Sequence, residues 1–211
     1  IALVLNAGSG SQKVALYSIE QGSKACEPIW QANINSTTPG QPPEHFLCQI
    51  KSTKGQGEIP IARDLPLARK IQALIRASWD ERLAVLRGPD QIDLVGHRIV
   101  HGGLEFDRAT LVSAQVEASI DRLGELAPLH NPVNLEGIRA TREILGDKTP
   151  QFAVFDTAFH RTLPEEATTY AGPFEWKEQG LIRYGFHGTS FRYGSQRTAE
   201  ILGRQGDENL S

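Results

Sequence analysis

A chain of 211 residues with 39% hydrophobic residues can bury the core of one sizeable domain, or of one domain and part of a second. Its formal net charge of −3 supplies no broad positive field, which sets aside nucleic acid and membrane surfaces as partners and leaves any bound anion to a local site. No apolar run nears the roughly 20 residues that span a bilayer, and Cys26 and Cys48 stand in polar, unrelated surroundings without CxxC or metal-ligand spacing, so a cytoplasmic protein with reduced thiols is expected, one disulfide being the alternative.

Ile1–Leu5 is wholly apolar and lacks a basic segment ahead of it, so it reads as a strand buried on both faces rather than a signal peptide. The missing initiator methionine points to a trimmed start. Asn6–Ser11 is a Gly/Ser turn, and residues 14–19 form a second strand, which together predict a β-hairpin. Residues 20–65 are polar and interrupted by Pro39, Pro42, Pro43 and Pro60, and short strands with a variable excursion are expected there. Asp64 as cap and Pro66 as an early position open a helix whose apolar residues (Leu67, Ile71, Leu74, Ile75, Leu86) continue to Gly88-Pro89. Residues 92–100 are β-branched and strand-like. Val116, Ile120, Leu123 and Leu126 mark a short amphipathic helix, and Asn131 (cap), Pro132, Leu135, Ile138 and Leu145 mark another, closed by Gly146. Residues 152–155 form a buried strand ending at Asp156, and a last helix runs from Thr189 or Ser190 to about Leu202. Strands alternating with helices give an α/β class, with a boundary near residue 150. The chain ends directly after that helix, as a piece of a longer protein would.

Several segments could hold an anion. In Asn6–Lys13 the glycines free backbone amides, Ser9 and Ser11 offer hydroxyls and Lys13 a charge, so the segment is either a phosphate cradle or a solvated hairpin tip. It is not a Walker A loop, and it lacks the third glycine and following helix of a dinucleotide fingerprint. His97 and His101 are four apart, but in a strand that spacing is about 13 Å, too far for a shared metal. Arg98 beside them could grip a carboxylate or phosphate, or make a structural ion pair. His130 and His187 each stand just before a helix start, where backbone N–H groups attract anions. Asp156 ends a strand, where α/β sheets bind ligands, and could order metal-bound water or exchange protons. Cations, helix starts and one carboxylate, without a Ser or Cys nucleophile beside a base, suit direct phosphoryl transfer.

Five segments carry a resemblance: residues 6–13 (NAGSGSQK), 96–103 (GHRIVHGG), 127–132 (APLHNP), 154–160 (VFDTAFH) and 184–190 (YGFHGTS). On these the chain resembles the acetate kinase family of the actin-like ATPase superfamily over nearly its whole length. The resemblance implies phosphorylation of acetate by ATP, to give acetyl phosphate and ADP, with Mg2+, in the cytoplasm, and a homodimer in the full-length enzyme. It implies roles for Asn6 (magnesium site), Lys13, Ser9 and Ser11 (ATP phosphates), Arg98 (substrate carboxylate), Asp156 (catalytic acid/base), His187 (transition-state stabilisation) and His130 (active site). Asp156 is expected rather to order the metal's water shell, because acetate is already ionised at pH 7 and needs no base. It also implies two ribonuclease H-like domains, the first over residues 1–150 and the second beginning in 151–211. Gly10 and Phe191 stand where the family has serine and histidine, and the family's second phosphate loop, adenosine segment, second arginine and magnesium glutamate lie beyond residue 211. The fragment alone is therefore expected to be inactive. Propionate kinase, another short-chain acid kinase or a non-catalytic anion-binding module are the alternatives.

Overall fold

The computed structural model describes residues 1–8, 10–19, 27–35, 42 and 44–204. Five strands, β1 (Ala2–Ala7), β2 (Ser11–Tyr17), β3 (Trp30–Asn35), β4 (His45–Ser52) and β5 (Gly55–Ala62), form an antiparallel meander. Helix α1 (Leu67–Asp80) crosses over to β6 (Leu94–Ile99), which pairs parallel to β1. After β7 (Thr110–Leu111) and α2 (Ala114–Arg122), helix α3 (Asn131–Leu145) crosses to β8 (Gln151–Phe155), parallel to β6 and antiparallel to β7. The sheet order is β5-β4-β3-β2-β1-β6-β8-β7. The short helices α4 (Glu165–Thr168) and α5 (Glu175–Glu178) precede α6 (Gly188–Ile201). This is the expected α/β class, a mixed sheet flanked by helices. No helix among the described residues is long and apolar enough to cross a membrane.

Strand alternation sorts the sheet into two faces. Leu3, Leu5, Val14, Leu16, Trp30, Ile34, Cys48 and Val95 point to one face and bury there with Ile71, Leu74 and Ile75 of α1 and Ala140 of α3. Opposite lie Val4, Asn6 and Lys13, and Val4 is 39% exposed. The expectation that the first strand is buried on both faces is thus corrected, because α1 and α3 cover only one of them. Cys48 is not in polar surroundings either. It sits in this core and burial pushes its thiol up to about 12, while Cys26 lies outside the described residues. Pro60 is tolerated in an eight-residue strand because β5 is the sheet edge.

Three helix limits differ from expectation for tertiary reasons. Helix α1 ends at Asp80, not near Gly88, and the chain doubles back so that Val85 and Leu86 N–H both donate to the Ser78 carbonyl (3.0 Å each). Leu83 and Leu86 are buried by that return, which imitates a helical period. The start of α1 is not capped by Asp64. The Ala68 N–H donates to Glu136 of α3 (2.9 Å), a cap supplied across the helix pair. Asn131 is the first residue of α3 rather than its cap, which is His130. Near the expected division at residue 150 the chain enters β8, which is hydrogen-bonded to β6 from Val95↔Gln151 to Ile99↔Phe155. The change in character comes after Thr157. From 158 to 204 only Gly188 is buried, while Phe174, Trp176, Leu181, Phe191, Tyr193 and Ile201 are exposed.

His97 points into the helix-covered face and is 1% exposed. Its Nε2–H donates to Gln151 Oε1 (2.6 Å), tying β6 to β8, while Nδ1 has no partner among the described residues. Burial, against the smaller opposing effect of Gln151, lowers its pKa from 6.5 to about 4. The unfolded chain therefore takes up a proton near pH 6.5 that the native chain refuses until about pH 4. The stability contributed by the neutral ring is complete above pH 6.5 and lost as pH falls to about 4, on the order of 3 kcal/mol. In His97→Gln the difference in thermal midpoint from wild type should narrow between pH 7 and pH 4.5, and a constant difference would contradict this.

Candidate active site

The parallel strands β1, β6 and β8 end side by side, and their register decides what meets there. Val4 pairs with Gly96 and Arg98 with Val154, so Asn6, Arg98 and Asp156 leave three adjacent strands on the same face. The Arg98 guanidinium donates from Nε to both Asp156 oxygens (3.1 Å each) and from Nη2 to Oδ2 (2.6 Å). Its Nη1–H donates to Asn6 Oδ1 (3.2 Å) and a second Nη2–H to His187 Nδ1 (3.3 Å). A guanidinium can only donate, so His187 Nδ1 is the acceptor in this contact, the arrangement of the Nε2–H tautomer. Asp156 is 1% exposed, and the Thr189 hydroxyl also donates to it (3.3 Å).

His187 is held in a left-handed conformation (φ 55°, ψ 29°) as the cap of α6. It is the one non-glycine residue among those described with positive φ, a strained state that its surroundings must enforce. One constraint is visible at Gly188, whose N–H donates to the Asp156 carbonyl (2.9 Å). A Cβ at Gly188 would lie 2.2 Å from that oxygen, so only glycine lets the start of α6 dock on the end of β8.

A cavity of about 610 Å3 opens over this cluster, lined on its polar side by Asn6, Gly8, Ser11, Arg98, His130, Asp156 and His187. Val100, Leu126, Leu129 and Phe186 make its apolar wall. The structure thus brings together Asn6, Ser11, Arg98, His130, Asp156 and His187. Lys13 is across the hairpin from Asn6 but lines the neighbouring concavity on the open face of β1 to β5, and Ser9 lies outside the described residues. Two oxygen donors, Asn6 Oδ1 and the Asp156 carboxylate, face the cluster and both already accept from Arg98. Among the described residues no group of three His, Cys, Asp or Glu could hold a metal ion.

Sequence reasoning missed the residues that hold the site in shape. Asn131 Oδ1 accepts from the His101 N–H, and its Nδ2 donates to the His101 and Ile120 carbonyls (3.0, 3.0 and 3.2 Å). Asn134 accepts from Val100 N–H (3.0 Å) and donates to the Ala7 carbonyl (2.7 Å). These two amides bind the ends of β1 and β6 to the start of α3. Their signal was two asparagines three apart on the otherwise apolar side of a helix.

The model of the Acetokinase family matches residues 1–210. The acetate kinase of Microcystis aeruginosa is 46% identical over 206 residues, covering 96% of this chain and 49% of that protein. That of Gloeobacter violaceus is 42% identical over 208 residues, with 96% and 50% covered. Among solved structures, Porphyromonas gingivalis acetate kinase superposes with a TM-score of 0.81 at 34% identity, over 96% of this chain and 49% of that one. A propionate kinase from Francisella tularensis gives 0.77 at 31%, over 97% and 49%. The chain therefore spans about half the length of the relatives it matches, and the neighbours share the actin-like ATPase architecture.

The Arg98–Asp156 pair is the electrostatic centre of the cluster, and removing one partner strands the other. Arg98→Met should cost about 3 kcal/mol in chemical denaturation by leaving a buried carboxylate unpaired. Adding Asp156→Asn to that variant should recover part of the loss. Additive losses in the double mutant would contradict the pairing.

Proposed function

The chain belongs to the acetokinase family, and from that premise we propose that it supplies the carboxylate-binding side of an enzyme that passes the γ-phosphoryl group of ATP directly to acetate and back from acetyl phosphate. The observation that carries this reading is the convergence of Arg98, His130 and His187 with Val100, Leu129 and Phe186 on one cavity. Acetate is a small apolar methyl on a carboxylate that is ionised at pH 7. It needs no base, only relief from the repulsion between two anions, which fixed cations and N–H donors provide.

Arg98 holds the substrate carboxylate. One of its five N–H groups makes no bond to a described residue, and displacement of the His187 nitrogen frees a second, enough for a bidentate grip. His187, with its proton on Nε2, donates to the oxygens of the phosphoryl group in flight, and His130 adds a donor at the cavity rim. The apolar wall takes the methyl group. Asp156 orients Arg98 and neutralises it between turnovers, and its engagement by that guanidinium and Thr189 argues against proton abstraction. Lys13 and Ser11 face the nucleotide phosphates, and the family resemblance gives Ser9, outside the described residues, the same role. Two such residues are too few for a protein cage but fit a Mg2+ ion carried by phosphates, with Asn6 and Asp156 facing its water shell. Such an ion would offset phosphate charge.

The first domain comprises the sheet through β8, and the apolar surface of residues 158–204 would be covered by the half of the family fold that the 211 residues do not span. The full-length enzyme would be a cytoplasmic homodimer. The likeness to a propionate kinase keeps slightly longer acids as a second reading, to be separated by rates with acids of increasing length on a full-length protein.

Calorimetry on the 211-residue chain should show binding of acetyl phosphate. Arg98→Lys, which keeps a charge beside Asp156 but loses the planar fork, should weaken that binding by about tenfold or more. Unchanged affinity would overturn the assignment of Arg98. Isotope-traced transfer from ATP to acetate by these 211 residues alone should stay at the blank, since they span about half the length of the relatives they match, and clear turnover would contradict that.

A further inference from the structure

Two histidines outside the proposed chemistry lie against the segment that carries His187. His101 is 2% exposed and its backbone is gripped on both sides by Asn131, which accepts from its N–H and donates to its carbonyl. Its ring meets Tyr184 edge-on (centroids 4.5 Å apart, 66°) and Phe186 likewise (5.6 Å, 65°). Nδ1 accepts from the Gly103 N–H (3.0 Å), so it bears no proton.

On the other side, His160 follows β8 in a short 3-10 turn. Its Nε2–H donates to the Phe186 carbonyl (2.9 Å). The ring stands edge-on to Phe159 and Phe191 (5.3 and 5.5 Å). It also presses on Gly185, where a Cβ would fall 2.3 Å from His160 Cγ. Residues 184–187 have no regular hydrogen-bonded structure of their own, yet they end in the one strained non-glycine residue among those described. A strained conformation persists only where the surroundings over-determine it, and here these two rings hold the residues before His187 while the Gly188 N–H and Arg98 hold it from the other side.

We propose that His101 and His160 form a two-sided clamp on residues 184–187 that sets the direction of the His187 imidazole, and so act as positioning residues for the anion site. The inference rests on the reading of His187 as the group that faces the phosphoryl oxygens. His101 contributes an aromatic edge, and His160 contributes an N–H donor. The clamp fastens a segment beyond β8 to the ends of β6 and β8, and Phe186, held on both sides, is also part of the cavity's apolar wall. The aromatic residue Phe191 at the first turn of α6 gives His160 a ring to pack on rather than a polar neighbour.

The two contributions separate by substitution. His101→Phe keeps the edge contacts and loses the Nδ1 acceptor, while His101→Asn does the reverse. His160→Gln keeps a donor for the Phe186 carbonyl, while His160→Phe keeps only the ring. With 15N-labelled histidine, the ring nitrogen shifts of His187, assigned with His187→Gln, should show the Nε2-protonated form in wild type, His101→Phe and His160→Gln. In His101→Asn and His160→Phe they should move to a mixture of both tautomers, and acetyl phosphate should bind about tenfold more weakly. Unchanged His187 shifts in both disruptive variants would overturn the clamp. So would loss of the single tautomer in the two conservative variants, which also decide the matter if the disruptive ones fail to fold. If the shifts follow expectation while the wild-type chain does not bind acetyl phosphate, the clamp stands and the proposed substrate falls.

Discussion

The Arg98–Asp156 ion pair is the interaction on which the site depends. A carboxylate that is 1% exposed is tolerable only with its charge matched and its oxygens bonded. The guanidinium that does this also reaches Asn6 and His187. Four segments that are distant in the chain are thereby joined through one side chain: the ends of β1, β6 and β8 and the start of α6. The same pairing explains why the Gly188 position admits no side chain, since the helix that brings Thr189 to Asp156 must approach its backbone within hydrogen-bonding distance.

Around this pair the scaffold is stiff on one side and thinly held on the other. Residues up to Thr157 share two cores, one between the meander and α1/α3, the other around Ile99, Ile120, Leu135, Ile138 and Phe155, where Phe106 stacks on Phe155 (4.2 Å, 9°). Arg98 and Asp156 project from strands locked between these cores, which keeps their geometry insensitive to side-chain motion. His187 instead sits on a segment whose neighbours are mostly exposed, and it is fixed by point contacts rather than by burial. A side chain that must keep one direction there needs local fastening, and that is the physical demand met by His101 and His160.

Much was legible from the residues. The β-hairpin at the start, the crossover helices and the buried strand before Asp156 follow from hydrophobic period and turn chemistry, because each depends on neighbours a few positions away. The misreadings share one cause. Leu86 continues the apolar spacing of α1 but is buried by a chain reversal. Val4 belongs to an apolar run, yet only one sheet face is covered by helices. Asn131 has the composition of a cap and instead spends its amide on His101 and Ile120, two segments away. His160 carries no local signal of its role, because its partner is a carbonyl 26 residues on.

The sequence by itself determined the kinds of element, their order and the residue types available for holding anions, since these are set by local periodicity and by side-chain chemistry. Only the tertiary structure decided that Arg98 is bonded to Asp156 and Asn6, that His187 turns Nδ1 toward it, and that Lys13 lies in the adjoining hollow. Those outcomes depend on strand register and on which sheet face the helices cover. A one-residue shift in the pairing of β1 with β6 would send Arg98 to the opposite face with no change in either strand's own preference.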